Sequence, residues 1–397
     1  MTTADQDPVV IAAAARTPIA GFQGVFASLT APQLGTAAIA AALERAGVAP
    51  EQVSEVLMGC VLPAGQGQAP ARQAALGAKL PLGTGCTTIN KMCGSGMRAA
   101  MFAHDMLLAG SAEVVVAGGM ESMTNAPYLL PKARGGMRMG HGQVLDHMFL
   151  DGLEDAYDKG RLMGTFADEC AAEFGFTREA QDAYAIESLA RARHANESGA
   201  FAWEMADVTV PGKKGDTVVS RDEQPFTANP DKIPTLRPAF GPTGTVTAAN
   251  ASSISDGAAA LVMMRASTAE RLGATPIARV VGHSTFAQAP SRFTTAPVGA
   301  LQRLFERTGW RPADIDLFEI NEAFAVVAMA AMREHGLPHE RVNVNGGACA
   351  LGHPIGASGA RILVTLLGAL RARGGKRGVA SLCIGGGEAT AMAVELI

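Results

Sequence analysis

The strongest constraint on the fold is that the sequence repeats itself. Three short segments from the first part of the chain return near its end in the same order: Glu44–Pro50 with Glu306–Pro312, Ser95–Arg98 with Ser358–Arg361, and Gly118–Glu121 with Gly385–Glu388. One such match means little, but three in order at a nearly constant offset are not expected by chance. The sequence therefore predicts a duplicated domain.

In both halves, short apolar runs alternate with helical patterns. The predicted strands are Val9–Ala15, Val53–Cys60, Val114–Gly118, Ile277–His283, Leu317–Ile320, Val379–Ile384 and Ala389–Leu396. The predicted helices of the two halves include Leu34–Ala46, Gly96–Ala109 and 357–371, the first of which stops at Gly47. This alternation predicts the α/β class, with mixed sheets surrounded by helices.

The middle of the chain has a different composition. Residues 124–249 are rich in glycine, proline and charge, and contain one clear helical pattern, Arg178–Ser198. A chain of 397 residues is long enough for two or three packed domains. We predict an N-terminal half at 1–123, completed by about 250–275, an inserted loop domain at 124–249 that covers the site, and a C-terminal half at 276–397.

Composition excludes several classes of function. The net charge is −4 and only 5% of residues are aromatic, so no nucleic-acid partner is expected. No apolar run reaches about 18 residues, which argues against a membrane span. Residues 1–8 are polar and acidic and lack the pattern of a secretory signal, so the expected location is the cytoplasm. The six scattered cysteines include no C-x-x-C pair, and neither disulfides nor a metal site are expected.

Two cysteines and a histidine lie in glycine-rich turns. Cys93 follows an extended segment and precedes a helix, whose N-terminus can lower a thiol pKa from about 8.5 to about 3.5–7.5. His353 lies in the repeat position that corresponds to the Cys93 turn. Cys383 ends an apolar strand and precedes three glycines, whose N–H groups are suited to an oxyanion hole. These residue types together indicate acyl transfer through a cysteine nucleophile. The alternative is that Cys93 is only a small buried apolar residue, as most cysteines in proteins of this kind are.

Two further segments complete the set of candidates. Asn321 follows a predicted buried strand, where its amide can orient a water molecule or a histidine. Gly94–Ala99 fits the G-x-G-x-x-A dinucleotide fingerprint, but it does not open the first βαβ unit, and no acidic residue ends a second strand about 20 positions later. Nicotinamide binding is therefore not predicted.

Four blocks in combination resemble the thiolase family over nearly the whole chain. They are Asn90–Gly96, Asn321–Ala325, Gly346–Gly359 and Cys383–Gly387. Within that family the chain is most similar to acetyl-CoA acetyltransferases. The resemblance implies the thiolase fold: two duplicated α/β halves in α-β-α-β-α layers, with an inserted loop domain.

The resemblance also implies a mechanism. His353 takes the proton of Cys93, and the thiolate attacks an acyl-CoA to give an acyl-enzyme. Cys383 then removes the α-proton of a second acetyl-CoA. The N–H groups of Cys93 and Gly385 would hold one oxyanion, while His353 and a water held by Asn321 would hold the enolate. No metal or redox cofactor is implied, because coenzyme A enters and leaves as part of the substrates.

The resemblance identifies substrate-binding residues less completely than catalytic residues. Ser252 matches the family segment against the pantetheine arm, and Met163 matches a pocket motif. Two departures are Leu162, where biosynthetic relatives usually have His, and Phe293, where they often have Met. The arginine that often stacks near the adenine has no clear counterpart in Asp222–Lys232. Acyl chain length, tolerance of a 2-methyl branch and physiological direction therefore stay open.

The main interpretation is a thiolase that makes or cleaves acetoacetyl-CoA. Three alternatives remain open. One is a 3-ketoacyl-CoA thiolase with a broader or 2-methyl-branched substrate range. Another is a decarboxylating ketoacyl synthase of the same fold, against which Cys383 argues because those enzymes have His in that role. The third is a non-catalytic acyl-CoA carrier, which would be expected to have lost Cys93, His353 or Cys383. Homotetramers, as dimers of dimers, are usual in the family.

Overall fold

The computed structural model describes residues 7–397, so most of the N-terminal stretch 1–8 lies outside the described residues. The elements up to residue 123 are β1 (Val9–Arg16), β2 (Ala20–Gly21), α1 (Ala31–Ala46), β3 (Glu55–Gly59), α2 (Pro70–Gly77), β4 (Gly85–Ile89), α3 (Ser95–Ala109) and β5 (Val114–Ser122). Residues 124–249 contain β6 (Tyr128–Leu129), β7 (Leu145–Asp146), α4 (Met163–Phe174), α5 (Arg178–Glu197), β8 (Val208–Val210), β9 (Thr217–Val219) and α6 (Gln224–Thr227).

The remaining elements follow in the same alternation. They are β10 (Ser255–Arg265), α7 (Ala266–Leu272), β11 (Ala278–Ala287), α8 (Ala296–Thr308), β12 (Leu317–Ile320), α9 (Ala325–His335), α10 (Ala348–Leu351), α11 (Ser358–Arg373), β13 (Arg377–Ile384) and β14 (Glu388–Leu396). Short 3-10 turns join several of them. None of the helices within residues 7–397 has both the length and the apolar character needed to cross a membrane.

Helix α4 is a correction to the sequence analysis, which found one helical pattern in residues 124–249. The helix buries Phe166, Ala167, Cys170 and Ala171, a spacing typical of one helix face. Its N-cap residue, Leu162, makes no side-chain capping bond, so the start carries no sequence signal. Because the surrounding segment is rich in glycine, the helical periodicity of α4 was not recognised in the sequence.

The duplication is visible in the pairing of the strands. In the first half, β3 is parallel to β5, β5 is antiparallel to β10, and β10 is antiparallel to β1. In the second half, β12, β13, β14 and β11 repeat this sequence of pairings. The halves join where β1 pairs with β11, through Val10 with Arg279 and Ile11 with Ala278. The result is one ten-stranded sheet in the order β12-β13-β14-β11-β1-β10-β5-β3-β4, with β2 on β10.

Helices form the layers on either side of each set of strands. Residues of α1 and α2 share a core with β1, β3, β5 and β10, and residues of α8 and α9 share another with β12, β13 and β14. Helices α3 and α11 lie between the two sets, in a core that includes Met97, Met101, Leu363 and Leu366. The layers are therefore α-β-α-β-α, as predicted.

The two central helices touch at their first turns. A Cβ atom on Gly96 of α3 would lie 2.7 Å from the backbone nitrogen of Ala360 in α11, and a Cβ on Gly359 would lie 2.9 Å from Cβ of Met97. Glycine is needed at both positions because the backbones approach so closely. Gly96 and Gly359 are equivalent in the repeat, so equivalent residues of the two halves meet each other. This crossing brings the Cys93 turn beside the His353 loop.

Candidate active site

Cys93 lies in a sharp turn between strand β4 and helix α3. Met92 has φ +47°, an uncommon conformation for a residue with a side chain. The Ser95 hydroxyl accepts from Lys91 N at 2.8 Å and donates to the Met92 carbonyl at 2.6 Å, while Asn90 Oδ1 accepts from Met92 N at 3.0 Å. These hydrogen bonds hold the strained turn, which otherwise costs about 1–3 kcal/mol. The thiol therefore projects from a fixed position ahead of the helix.

The surroundings of the Cys93 thiol correct one prediction. Burial raises its pKa to about 11, although backbone N–H groups of Gly385 and of Cys93 itself donate to the sulfur and oppose the rise. The nearby charge of Glu121 adds to it. The expectation of a lowered pKa was wrong because loss of water outweighs the helix N-terminus. At neutral pH Cys93 is a thiol, and it needs a base before it can attack a thioester.

Cys383 lies at the end of β13, against the Cys93 turn. A Cβ on Gly94 would collide with the side chain of Ile384, which shows how closely the two segments pack. Cys383 is fully buried, and burial raises its pKa well above the ordinary value, with repulsion from Cys93 adding to the effect. Gly386 has φ +91°, which allows the tight turn after the strand. The structure therefore brings Cys93, Cys383 and Gly385 together.

His353 is a buried neutral base with one free nitrogen. The Ser358 hydroxyl donates to the Pro354 carbonyl at 2.9 Å, so its oxygen is left to accept from Nδ1 of His353 at 2.6 Å. This assigns the proton to Nδ1 and a free lone pair to Nε2, which is buried without a hydrogen-bond partner. Burial and the charge of Arg361 lower the pKa of His353 to about 3.

Asn321 is held beside His353 by charged groups of the core. Its amide nitrogen lies 3.4 Å from Nδ1 of His353, which is a contact and not a hydrogen bond because both nitrogens carry protons, and Arg361 donates to its Oδ1 at 3.3 Å. Arg361 also pairs with Glu319 at 3.4 Å. All four side chains are buried, and burial raises the pKa of Glu319 to about 8. The guanidinium thus fixes which end of the Asn321 amide faces the histidine.

Two family models together match almost the whole chain. Residues 9–267 match the family model described as thiolase, N-terminal domain, and residues 274–396 match thiolase, C-terminal domain. The chain belongs to the thiolase family. The predicted resemblance and the predicted fold class are both confirmed.

Named relatives of this thiolase are similar over almost their whole length. An acetyl-CoA acetyltransferase of Cupriavidus necator is 51% identical over 389 residues, which is 98% of this chain and 99% of that protein. Acetyl-CoA acetyltransferase 2 of Arabidopsis thaliana is 52% identical, with 98% and 97% covered. A crystal structure of the Acat5 thiolase from Ascaris suum in complex with coenzyme A has a TM-score of 0.93 at 41% identity, covering 98% and 100%.

Sequence reasoning missed two carboxylates that hold the loops of the site. Glu322 accepts hydrogen bonds from Tyr184 at 3.0 Å, Ser188 at 2.8 Å and Asn343 at 2.8 Å. It therefore ties helix α5 to the segments around the histidine. A signal existed, because Glu322 follows a buried strand inside a family block.

The second carboxylate is Glu121, at the end of β5. It accepts from the backbone N–H groups of Val61, Leu62 and Gly356 at 2.9–3.1 Å. Burial raises the pKa of Glu121 to about 7 against the effect of these hydrogen bonds. Since Gly356 lies in the His353 loop, Glu121 joins that loop to the first half of the chain.

The predicted substrate residues are only partly brought together. Phe293 and Cys383 belong to one buried apolar cluster, against which Met163 packs. Cε of Met163 lies 3.7 Å from the position of a Cβ on Gly385. Ser252 donates its N–H to the Ala323 carbonyl at 3.0 Å. Leu162 starts helix α4 outside this cluster, so its role in the pocket stays a prediction.

Proposed function

We propose that the chain is an acetyl-CoA C-acetyltransferase that condenses two molecules of acetyl-CoA to acetoacetyl-CoA and coenzyme A, and catalyses the reverse thiolysis. The observation that carries the proposal is the free Nε2 of a buried, neutral His353 in a site that also contains two thiols. The named relatives support acetyl-CoA as the substrate, and the Ascaris suum structure supports coenzyme A as the carrier.

In the first step His353 takes the proton of Cys93 through Nε2, and the thiolate attacks the carbonyl of acetyl-CoA. The N–H groups of Cys93 and Gly385 already point at the sulfur, so they are placed to donate to the oxyanion that forms there. The coenzyme A thiolate then leaves with the proton that His353 carries. Cys93 remains as a thioester with the acetyl group.

In the second step His353, neutral again, takes the proton of Cys383 through Nε2, and the Cys383 thiolate removes the α-proton of another acetyl-CoA. A raised pKa makes this thiolate a stronger base for a proton on carbon. The enolate oxygen is held by His353 and by a water bound to Asn321. The carbanion attacks the acetyl group and releases the Cys93 thiolate, which takes the proton that His353 carries, so both cysteines are thiols again.

The test is a thiolysis assay with acetoacetyl-CoA and free coenzyme A. Cys93→Ala should abolish turnover. Cys383→Ala should still take up one labelled acetyl group from acetyl-CoA but should not form the carbon–carbon bond. Near-normal turnover of Cys93→Ala would refute the proposal. The assay extends to longer and 2-methyl-branched 3-ketoacyl-CoAs, because Phe293 belongs to the same buried apolar cluster as Cys383.

The same assay separates the alternatives. Tight acyl-CoA binding without turnover of any 3-ketoacyl-CoA would favour a carrier. Consumption of a malonyl thioester without thiolysis would favour a ketoacyl synthase. Greater activity on branched than on unbranched substrates would favour the broader 3-ketoacyl-CoA thiolase.

We also propose a homotetramer assembled as a dimer of dimers. Strand β4 stands at the edge of the sheet among the described residues, with one side unpaired. Exposed apolar side chains cluster around β6 and β7, including Tyr128, Leu130 and Met139. Light scattering on the purified protein measures the mass directly, and a monomer would contradict the proposal.

The division of the chain into domains at residues 123, 249 and 276 stays a prediction, which limited proteolysis can check. The cytoplasmic location also stays a prediction, which cell fractionation can check.

A further inference from the structure

Two buried histidines converge on one aspartate outside the candidate active site. His104 and Asp105 are neighbours on α3, and His283 lies on β11. Oδ1 of Asp105 is 3.2 Å from Nδ1 of His104 and 2.9 Å from Nε2 of His283. Within residues 7–397 this is the one group of His, Cys, Asp or Glu side chains whose three ligand atoms all lie within 4.8 Å of one another.

The residue types suit a metal site, because imidazole nitrogen and carboxylate oxygen are both common ligands of Zn²⁺. Without an ion, the ring nitrogen of each histidine that faces Asp105 carries a proton and donates it to Oδ1. That proton can move to the other nitrogen of the same ring. An ion can therefore bind both rings and the carboxylate without release of a proton from the protein.

The distances also suit an ion. Around a tetrahedral Zn²⁺ with bonds of about 2.0–2.1 Å, neighbouring ligand atoms are about 3.3 Å apart. The two distances to Asp105 are close to that value, and the two ring nitrogens lie within 4.8 Å of each other, so binding would require the rings to turn toward a common point. We propose that His104, Asp105 and His283 bind one divalent transition-metal ion of the Zn²⁺, Co²⁺ or Ni²⁺ type.

Access and charge around the site are consistent with an ion that keeps a water ligand. A surface cleft of about 460 Å³ opens at His104 and is also lined by Leu108, Arg307 and Trp310. Arg307 donates to the His283 carbonyl at 3.1 Å, and its charge opposes a cation, which the Asp105 carboxylate offsets. On binding, the proton that each ring now donates to Asp105 moves to the other ring nitrogen, so none is lost.

The position of the site predicts its effect. His104 is 11 residues after Cys93 along the chain, about 16 Å at 1.5 Å per helical residue. The ion would not touch the substrate. It would link α3 of the first half to β11 of the second half, and so stabilise the fold without changing the chemistry.

The test compares wild type with His283→Gln, and uses His194→Gln, an exposed histidine on α5, as a matched control. The glutamine amide can still donate to Asp105, which preserves the metal-free fold. By titration calorimetry with Ni²⁺ we expect one ion per chain in wild type and in the control, and at least a tenfold weaker affinity in His283→Gln. The ion should raise the unfolding temperature of wild type and of the control, but not that of His283→Gln.

The thiols of the candidate active site also bind such ions, so the ligands must be identified. Co²⁺ in wild type should show visible d–d bands that disappear in His283→Gln and in Asp105→Asn, the second variant if the first does not fold. A spectrum dominated by thiolate charge transfer and unchanged by either substitution would overturn the proposal. So would equal Ni²⁺ affinity in wild type and His283→Gln, or no binding at millimolar concentration.

Discussion

At the scale of single residues, one hydroxyl group decides which nitrogen of His353 is free to act as the proposed base. Ser358 accepts from Nδ1, and the same oxygen donates to the Pro354 carbonyl. Replacing it with alanine removes a hydrogen bond to a ring that becomes positively charged, worth about 1.5–3 kcal/mol. Ser358→Ala should therefore lower kcat for thiolysis about 10–100-fold with little change in KM. Ser358→Thr, which keeps the hydroxyl, should retain most of the activity; equal loss in both variants would contradict this role.

The reactivity of Cys93 should rise steadily with pH. Burial raises its pKa to about 11, so below that value the thiolate fraction grows tenfold with each pH unit. We expect the rate of inactivation by iodoacetamide to rise about tenfold per unit between pH 6 and pH 9, measured as loss of thiolysis activity. A plateau reached below pH 8 would mean that the helix N-terminus lowers the pKa after all. Cys93→Ala protein should not be labelled at this position.

The residues show where sequence reasoning was sufficient and where it failed. Cys93, His353 and Cys383 were predicted because each stands in a glycine-rich block; Cys93 follows strand β4, Cys383 lies near the end of β13, and His353 precedes helix α11. The pKa of Cys93 was predicted in the wrong direction, because a helix N-terminus is a local feature whereas burial depends on β13, which is about 290 positions away along the chain. Glu121 was missed for the same reason: its partners are loops from distant parts of the sequence.

At the scale of elements, the crossing of α3 and α11 positions the two halves of the site. A Cβ on Gly96 would lie 2.7 Å from a backbone nitrogen of α11, which cannot move aside as a flexible side chain can. Gly96→Ala should destabilise the protein by about 1–3 kcal/mol and reduce thiolysis, because the helices must separate. Gly83→Ala is the control, since open space surrounds that glycine.

Urea unfolding followed by circular dichroism measures both variants. A midpoint for Gly96→Ala equal to that of Gly83→Ala would show that the crossing tolerates a methyl group.

The repeat itself could be recognised as matching segments of sequence, but the sequence could not reveal that the equivalent glycines contact each other. That contact depends on how the two sets of strands are oriented relative to each other, which no local sequence pattern encodes.

At the scale of the whole molecule, a buried arginine joins the first strand to the inserted segment. Arg16 of β1 has no exposed surface and pairs with Glu204 and with Asp222, and the Thr365 hydroxyl of α11 donates to Glu204 at 3.0 Å. Arg16→Met would leave two carboxylates buried without their cation. We expect a loss of about 3–5 kcal/mol in the free energy of unfolding.

Chemical denaturation provides the measurement for Arg16→Met as well. Arg311→Met is the comparison, because Arg311 pairs with Asp314 at the surface and its loss should leave the midpoint almost unchanged. If the two substitutions shifted the midpoint equally, the buried cluster would not hold the inserted segment to the sheet. No sequence pattern marked Arg16, since its partners lie 188 and 206 positions further along the chain.

The contact between equivalent first turns also has a meaning for ancestry. Ser95 holds the turn of Cys93 and Ser358 holds His353, so the same hydroxyl position supports the proposed nucleophile in one copy and the proposed base in the other. An ancestor made of two identical copies would have presented the same turn twice across its symmetry axis. In this chain the two copies differ at the site, with Cys93 beside one turn and His353 beside the other. Neither copy on its own carries all of the proposed reacting groups, so the site forms only when both copies are joined in one chain.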